Sequence, residues 1–311
     1  MRRMVNTGKP GISCMKAACS GWDRMEKTLF HPFDLGKWFL LGFSAWLANL
    51  GQGVGMHFNF PSLPQKGSFP LENIPAALLI LICCIAFAVA TVCLFLAIVM
   101  LWIRSRGDFM FLDNIVHGKT LIVEPWKKYS GQGNSLFMFR IACWIIFIGF
   151  LMITLASSLL LCWHSIRTGK MDSFCIAGII FGVLCLLIFI LTVVFYELSL
   201  KSFIVPIMFR RQIGAFDAST EFLTLFSGNL TAFIRYYLMY MLLSLCASIA
   251  VVIFIFSTCC LCCIGLILLC LPYLWAVLML PILTFFRFYS IEFLSQFGDD
   301  YNVYALSGLK G

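Results

Sequence analysis

Long apolar runs alternate along this chain with short polar segments that are rich in lysine and arginine. The apolar runs are residues 37–53, 74–103, 136–163, 174–198, 230–257 and 261–286. A helix needs about 20 apolar residues to cross a hydrocarbon core of roughly 30 Å, and every run except the first reaches that length. The pattern therefore predicts an all-α, polytopic membrane protein with about six transmembrane helices.

Two stretches about a hundred residues apart share an outline. Arg106 precedes Asp113 by seven positions, and Arg210 precedes Asp217 by seven. Downstream, a Gly-Asn pair precedes Arg140 and Arg235 with the same gap, and a looser third copy lies at residues 33–38. Such a period fits a helical hairpin with a polar lead-in, so the chain is predicted to contain three hairpin repeats, each introduced by an amphipathic cytoplasmic helix.

These repeats predict one transmembrane domain over residues 1–311. Its parts are an amphipathic cytoplasmic segment (1–36), a first hairpin with its loop (37–135), a second hairpin with its loop (136–229), and a third hairpin with its tail (230–311).

Composition agrees with the membrane class and orients the chain. The residues are 61% hydrophobic and 12% charged, whereas soluble domains carry about 25% charged residues. The net charge of +8 comes from basic residues that flank the spans, which indicates topology instead of nucleic-acid binding. The positive-inside rule then places both termini in the cytoplasm of a multi-pass protein of the cytoplasmic (inner) membrane.

Several residues near the predicted cytoplasmic boundary favour contact with the lipid interface. Trp22 shares a predicted helical face with Met25 and Leu29, and Trp126 precedes two lysines. Aromatic and basic residues are typical of this layer. The residues from Arg104 to Asp113 predict an interfacial elbow after the second span, and Asp217 is predicted to cap a helix.

Seven ionisable residues are candidates for binding a ligand or lipid, because charge at membrane depth is costly. They are Arg104, Arg106, Asp113, Arg140, Arg210, Asp217 and Arg235. They act either as snorkelling anchors or as repeat-related groups around a cytoplasmic vestibule. No span carries an acidic residue at mid-depth, which disfavours a proton- or sodium-coupled pump.

The cysteines do not indicate a cofactor or metal site. Many of the 15 cysteines lie inside predicted spans, where a thiol packs as a small hydrophobic group. Cys162 and Cys175 bracket a short loop and either pair or remain reduced. The thiols at 259–263 crowd one turn without a nearby histidine, so packing or a disulfide is favoured over metal. No nucleophile–base pair is evident, and no enzyme is expected.

The stretch RSRGDFMFLDNIVHGK, with EPW at 124–126 and GNSLF at 133–137, resembles a group of uncharacterised prokaryotic multispan membrane proteins. Those proteins resemble, more distantly, the membrane regions beside some glycerophosphodiester phosphodiesterases. The resemblance implies a hairpin-repeat membrane domain without an assigned activity. The phosphodiesterase barrel has no counterpart here, so its chemistry is not expected.

The leading functional prediction is a non-enzymatic, lipid-interacting scaffold or accessory factor. Its expected partners are membrane lipids, with another membrane protein as a further candidate. The alternative is a transporter or flippase-like carrier of an amphiphile or anion with an arginine-lined cytoplasmic vestibule.

Overall fold

The computed structural model describes residues 12–51, 76–168, 173–261 and 272–306. Within these ranges all regular elements are helical. The α-helices are α1 (Cys14–Phe30), α2 (Leu35–Ala48), α3 (Ala76–His117), α4 (Val123–Lys128), α5 (Ser130–Thr168), α6 (Ser173–Ser199), α7 (Val205–Arg211), α8 (Ala215–Gly228), α9 (Leu230–Leu261), α10 (Pro272–Leu278) and α11 (Leu280–Ser295). A π-helical segment (Leu200–Ile204) joins α6 to α7, and two 3-10 turns follow α11 (Asp299–Tyr301 and Val303–Leu306).

Four stretches of the described helices are long and apolar enough to cross a membrane. They are Ile80–His117, Ser130–Trp163, Ser173–Arg211 and Leu230–Ser257. Their apolar side chains face outward; Phe87 and Leu160, for example, are 76% and 77% exposed. Such continuous apolar surface is stable in lipid and not in water. The predicted polytopic all-α membrane class is confirmed, while the number of six spans stays a prediction.

The first predicted span is short in the structure, and part of the last predicted span lies outside the described residues. Helix α2 has 14 residues, about 21 Å at 1.5 Å per residue, which is short for a hydrocarbon core. It packs tightly on α3, because a Cβ added at Gly107 would lie only 2.7 Å from the carbonyl carbon of Leu47. Residues 262–271 of the sixth run lie outside the described residues, and α11 starts one residue before Pro281, where proline is tolerated at a helix start.

The predicted interfacial elbow after the second span is wrong. Helix α3 continues without a break through Arg104 and Asp108 to His117. Phe109, Met110 and Leu112 are fully buried, and Met110 packs against Leu47 and its neighbours in a hydrophobic cluster. These apolar residues therefore pack against protein instead of returning to the acyl region, and α3 continues through them without a break.

The chain divides into two compact units. The first unit comprises the described residues of Met1–Arg24, Asn134–Met239 and Phe286–Gly311, and the second unit those of Met25–Gly133 and Tyr240–Phe285. An aromatic cluster forms the core of the first unit. Its ring centroids lie 4.6–5.7 Å apart for the pairs Phe203–Phe222, Phe203–Phe233, Phe203–Tyr236, Phe222–Phe233, Tyr236–Tyr289, Tyr236–Phe293 and Phe233–Phe293.

The three predicted hairpin repeats stay a prediction, with which the order of the helices can be compared. Each of α1, α4 and α8 is followed within a few residues by a more apolar helix. The two residue-level copies nevertheless differ, because Arg106 to Asp113 lie in one helix whereas a break separates Arg210 from Asp217. At that break Gln212 adopts a left-handed conformation with φ of 56°, which is costly for a residue other than glycine and ends α7.

The predicted helix cap at Asp217 is also wrong by three residues. Gly214 is the cap residue of α8, and Asp217 lies exposed in the first turn. Since glycine has no side chain to accept a hydrogen bond, the hydroxyl of Ser135 accepts one from the Ala215 N–H at 2.9 Å. A side chain distant in sequence thus replaces the local cap.

Candidate functional site

The last four turns of α3 bury an unusual number of polar side chains in the second unit. Arg104 is 6% exposed, Asp108 0%, and Asp113 7%. Ser105 and Asn114 are buried as well. Buried polar groups need partners, because an unsatisfied group costs free energy comparable to a lost hydrogen bond. This stretch is therefore a specifically built part of the fold, not a membrane anchor of loosely held charges.

Asp113 is held by a hydrogen bond from a neighbouring element. The hydroxyl of Tyr129, just before α5, donates to Asp113 Oδ1 at 2.8 Å, and the Tyr129 ring stacks on Phe109 with centroids 6.1 Å apart. His117 Nδ1 lies 3.3 Å from the same carboxylate oxygen. Burial, and then the adjacent Asp113 carboxylate, raise the pKa of Tyr129. The arrangement ties the end of α3 to the start of α5.

Arg106 is stacked against two tryptophans. Its guanidinium carbon lies 4.3 Å from the ring centroid of Trp102 and 5.5 Å from that of Trp126. The two indoles meet edge to face at 6.0 Å. A cation over an indole face is attracted by the negative face of the ring. Trp126, predicted as interfacial, thus also serves to position this arginine.

A groove opens beside these groups, and none of the seven predicted residues lines it. It has a volume of about 640 Å³. One side is formed by the α1–α2 connection and the start of α2, and the other side by the residues after α3. Its lining comprises Asp34, Gly36, Lys37, Leu40, Gly118, Lys119, Thr120 and Leu121. No local pattern in the sequence indicated that Lys37 and Lys119 line one groove, because they are 82 positions apart.

The other four predicted site residues, Arg140, Arg210, Asp217 and Arg235, lie in the first unit. Arg140 is fully buried, whereas Asp217 and Arg235 are exposed. Arg210 donates from Nη2 to the carbonyl of Asp299 at 3.5 Å. The predicted convergence of the repeat-related arginines on one vestibule stays a prediction.

A second polar cluster, which the sequence reasoning missed, ties the amino-terminal helix to the end of α11 in the first unit. Arg24 forms an ion pair with Glu292, and its guanidinium carbon lies 3.7 Å from the centroid of the Tyr304 ring. Burial, followed by Glu292, raises the pKa of Tyr304. Gln296 receives the N–H of Ser13 at 2.8 Å. These partners are hundreds of residues apart in sequence, so no local pattern could reveal them.

Trp22, the other predicted interfacial residue, is 56% exposed, whereas Met25 and Leu29 are buried. The three residues share a helical face, since at about 100° per residue Trp22 lies within about 60° of the other two. The buried stripe of α1 runs through Gly21, Met25 and Leu29, spaced four apart, and Trp22 stands at its exposed edge. Such exposure is compatible with the predicted interfacial role.

The thiols give no site for a bound metal in the part of the chain that the structure describes, where no three of histidine, cysteine, aspartate and glutamate are grouped to hold one. No bond joins Cys162 to Cys175 in the structure, where the Cys162 thiol donates to the Cys175 carbonyl at 3.6 Å. Their pairing stays a prediction. Cys262 and Cys263 of the predicted cysteine cluster lie outside the described residues, and the side chains of Cys259 and Cys260 are not described.

The chain belongs to a family of unknown function (DUF7544), which it matches over residues 15–271. This agrees with the predicted membership of an uncharacterised family. No curated protein and no solved structure matches the chain. The distant relation to membrane regions of glycerophosphodiester phosphodiesterases stays a prediction.

Proposed function

We propose that this member of the DUF7544 family is a lipid-interacting, non-enzymatic scaffold or accessory factor of the cytoplasmic membrane. It crosses the membrane six times with both termini in the cytoplasm, and its lead-in helices α1, α4 and α8 lie at the cytoplasmic surface. The placement of lysine and arginine on one side of the predicted spans supports this orientation.

The main support for the proposal is that the polar groups at the end of α3 pack against, or hydrogen-bond with, other side chains of the protein. Arg106 is stacked on Trp102, and Asp113 accepts the Tyr129 hydroxyl. A carrier needs such groups on a water-accessible path, where the cargo can reach them. Polar groups that instead contact other side chains of the protein favour a rigid scaffold, which serves as a platform in the membrane. The groove of the second unit is lined by other residues, and it supports lipid contact at the edge of that platform.

A carrier of an amphiphile or anion is the second candidate, and one observation favours it. Arg140 lies within the Ser130–Trp163 span and is fully buried. An arginine at membrane depth costs about 2.5–3.5 kcal/mol at the bilayer centre on insertion scales and is commonly functional. Near the end of a span the cost is smaller, so this observation does not outweigh the packed arrangement of α3.

Proteoliposomes separate the two functions. The full chain is reconstituted with a head-labelled fluorescent phospholipid in both leaflets and an entrapped anionic dye, and dithionite is added outside. The scaffold leaves the quenched fraction and the dye retention equal to those of protein-free vesicles. A protein-dependent rise in the quenched fraction, or release of the dye, absent with heat-denatured protein, contradicts the scaffold and favours the carrier.

A further inference from the structure

The groove in the second unit has two lysines and one acidic side chain in its wall. Lys37 lies in the first turn of α2, and Lys119 lies two residues after the end of α3. The acidic residue, Asp34, is engaged as the cap of α2, where its Oδ1 accepts the Gly36 N–H at 2.8 Å. The groove therefore has a net positive charge, and the positive end of the α2 dipole adds to it.

Apolar side chains continue from this charged wall. Leu40 and Leu121 line the groove and are 38% and 39% exposed, and the adjacent Phe39 is 42% exposed. A site for a free inorganic anion needs only hydrogen-bond donors and positive charge, so exposed leucines would not contribute to its binding. A phospholipid requires both properties at once, with an anionic headgroup at one end and acyl chains at the other.

The turn after α3 completes the groove. The span Ile80–His117 ends one residue before Gly118, and Gly118 adopts a left-handed conformation with φ of 62°. That turn directs Lys119 to Leu121 back toward the start of α2, where they complete the groove.

We propose that this groove binds an anionic phospholipid, with the headgroup phosphate at Lys37 and Lys119 and an acyl chain along Leu40. The assignment rests on the proposed lipid-interacting function and specifies its ligand class and its residues. The two lysines act as point charges on the phosphate. Thr120 lines the same wall and offers a hydroxyl donor to the headgroup.

The test is a titration of the delipidated full chain in detergent, followed by native mass spectrometry, with short-chain phosphatidylglycerol and with phosphatidylcholine. The variant Lys37→Gln/Lys119→Gln removes the two charges of the groove. The control Lys27→Gln/Lys127→Gln removes two exposed lysines of the same unit that do not line the groove. The variant Lys37→Arg/Lys119→Arg keeps the charge, and thermal unfolding confirms that each variant is folded.

We expect the groove variant to bind phosphatidylglycerol about thirtyfold more weakly than the wild type, since each lysine near a lipid surface contributes a factor of about five. The control and the arginine variant should lie within about threefold of the wild type, because surface charges outside the contact are largely screened. Phosphatidylcholine binding should change little in all variants.

Other outcomes overturn the assignment in distinguishable ways. Equal losses in the groove variant and the control would overturn the groove site and leave the proposed lipid function in place. Displacement of phosphatidylglycerol by millimolar inorganic phosphate would show a site for soluble anions instead. A wild-type chain that retains neither lipid above the detergent background would overturn the proposed function together with the groove.

Discussion

Tyr129, at the junction of α4 and α5, is joined to Asp113 of α3 by one buried hydrogen bond, from the tyrosine hydroxyl to Asp113 Oδ1 at 2.8 Å. Both side chains are almost completely buried, at 3% and 7% exposure. Tyr129 stands immediately before α5, and Asp113 lies in the last turns of α3. The bond thus fixes the connection through α4, and with it Trp126 beside Arg106.

Replacing Tyr129 by phenylalanine should therefore destabilise the protein. The carboxylate of Asp113 would lose its donor while staying buried, which costs about 1–3 kcal/mol. The measurement is the free energy of unfolding in a mild detergent. Asp113→Asn is the matched comparison, because an amide oxygen still accepts the Tyr129 hydroxyl, and it should be the milder change. If the Tyr129→Phe chain is as stable as the wild type, this hydrogen bond does not stabilise the folded protein.

The same bond predicts how stability depends on alkaline pH. The pKa of Tyr129 is raised in the folded chain, first by burial and then by Asp113, whereas an unfolded tyrosine titrates at about 10. The contribution of the neutral hydroxyl is complete below that value and is lost as pH rises toward the folded pKa, because only the unfolded state gains by ionising. The stability difference between wild type and Tyr129→Phe should shrink above pH 10. A constant difference to the limit of reversible unfolding would contradict the raised pKa.

Close packing of α2 on α3 is tested by a pair of glycines. Gly107→Ala would place a Cβ 2.7–2.9 Å from backbone and Cβ atoms of Leu47 and Ala48, so the helices must separate, at a cost of about 1–3 kcal/mol. Gly149 lies in α5 with nothing within 4 Å of an added Cβ. Gly149→Ala should be neutral or stabilising by up to about 1 kcal/mol, since alanine favours a helix. Thermal unfolding of both variants is the measurement, and equal effects would argue against the α2–α3 contact.

Arg106 should contribute to stability through its indole partners. Arg106→Ala removes the stack on Trp102 and Trp126, which is worth about 0.5–2 kcal/mol. Arg106→Lys should lose less, because the cation is retained without the planar guanidinium. Arg235→Ala removes an exposed arginine and serves as the control in the same unfolding assay. If the three variants unfold at the same temperature, the stack of Arg106 on the two indoles does not contribute to stability.

The proposed topology, with six crossings and both termini in the cytoplasm, predicts the behaviour of fusions at the carboxyl end. A fluorescent protein fused there should be bright, and an alkaline phosphatase fused there should be inactive, since that enzyme needs an oxidising compartment for its disulfides. Active phosphatase together with a dark fluorescent protein would reverse the orientation drawn from the basic residues.

Apolar run length, which is a local property, predicted the membrane class and the four long spans. The carboxyl-terminal end of α3 could not be predicted in this way. Charges at Arg104 and Asp108 look like a boundary when read along the chain, yet both side chains are buried in the folded protein. The elbow was wrong because burial against α2 overrides the local polar signal, and no short window contains Leu47 and Met110 together.

For the candidate site, the sequence indicated some of the residues but not the contacts that they make. Arg106 was singled out from sequence, but its stack on Trp126 depends on a turn twenty residues later. Lys37 and Lys119 were unremarkable basic residues until the fold brought them to one groove. The ion pair of Arg24 with Glu292 joins the two ends of the described chain. Pairings over such separations require the tertiary structure, which periodicity and composition do not contain.

The most direct test of the account is native mass spectrometry of the full chain released gently from its own membrane. A lipid-interacting scaffold predicts an intact protein that retains anionic phospholipid, with the retained lipid reduced in Lys37→Gln/Lys119→Gln and kept in Lys27→Gln/Lys127→Gln. A chain that emerges bare from every preparation, or one that retains a soluble anion in place of lipid, would contradict it.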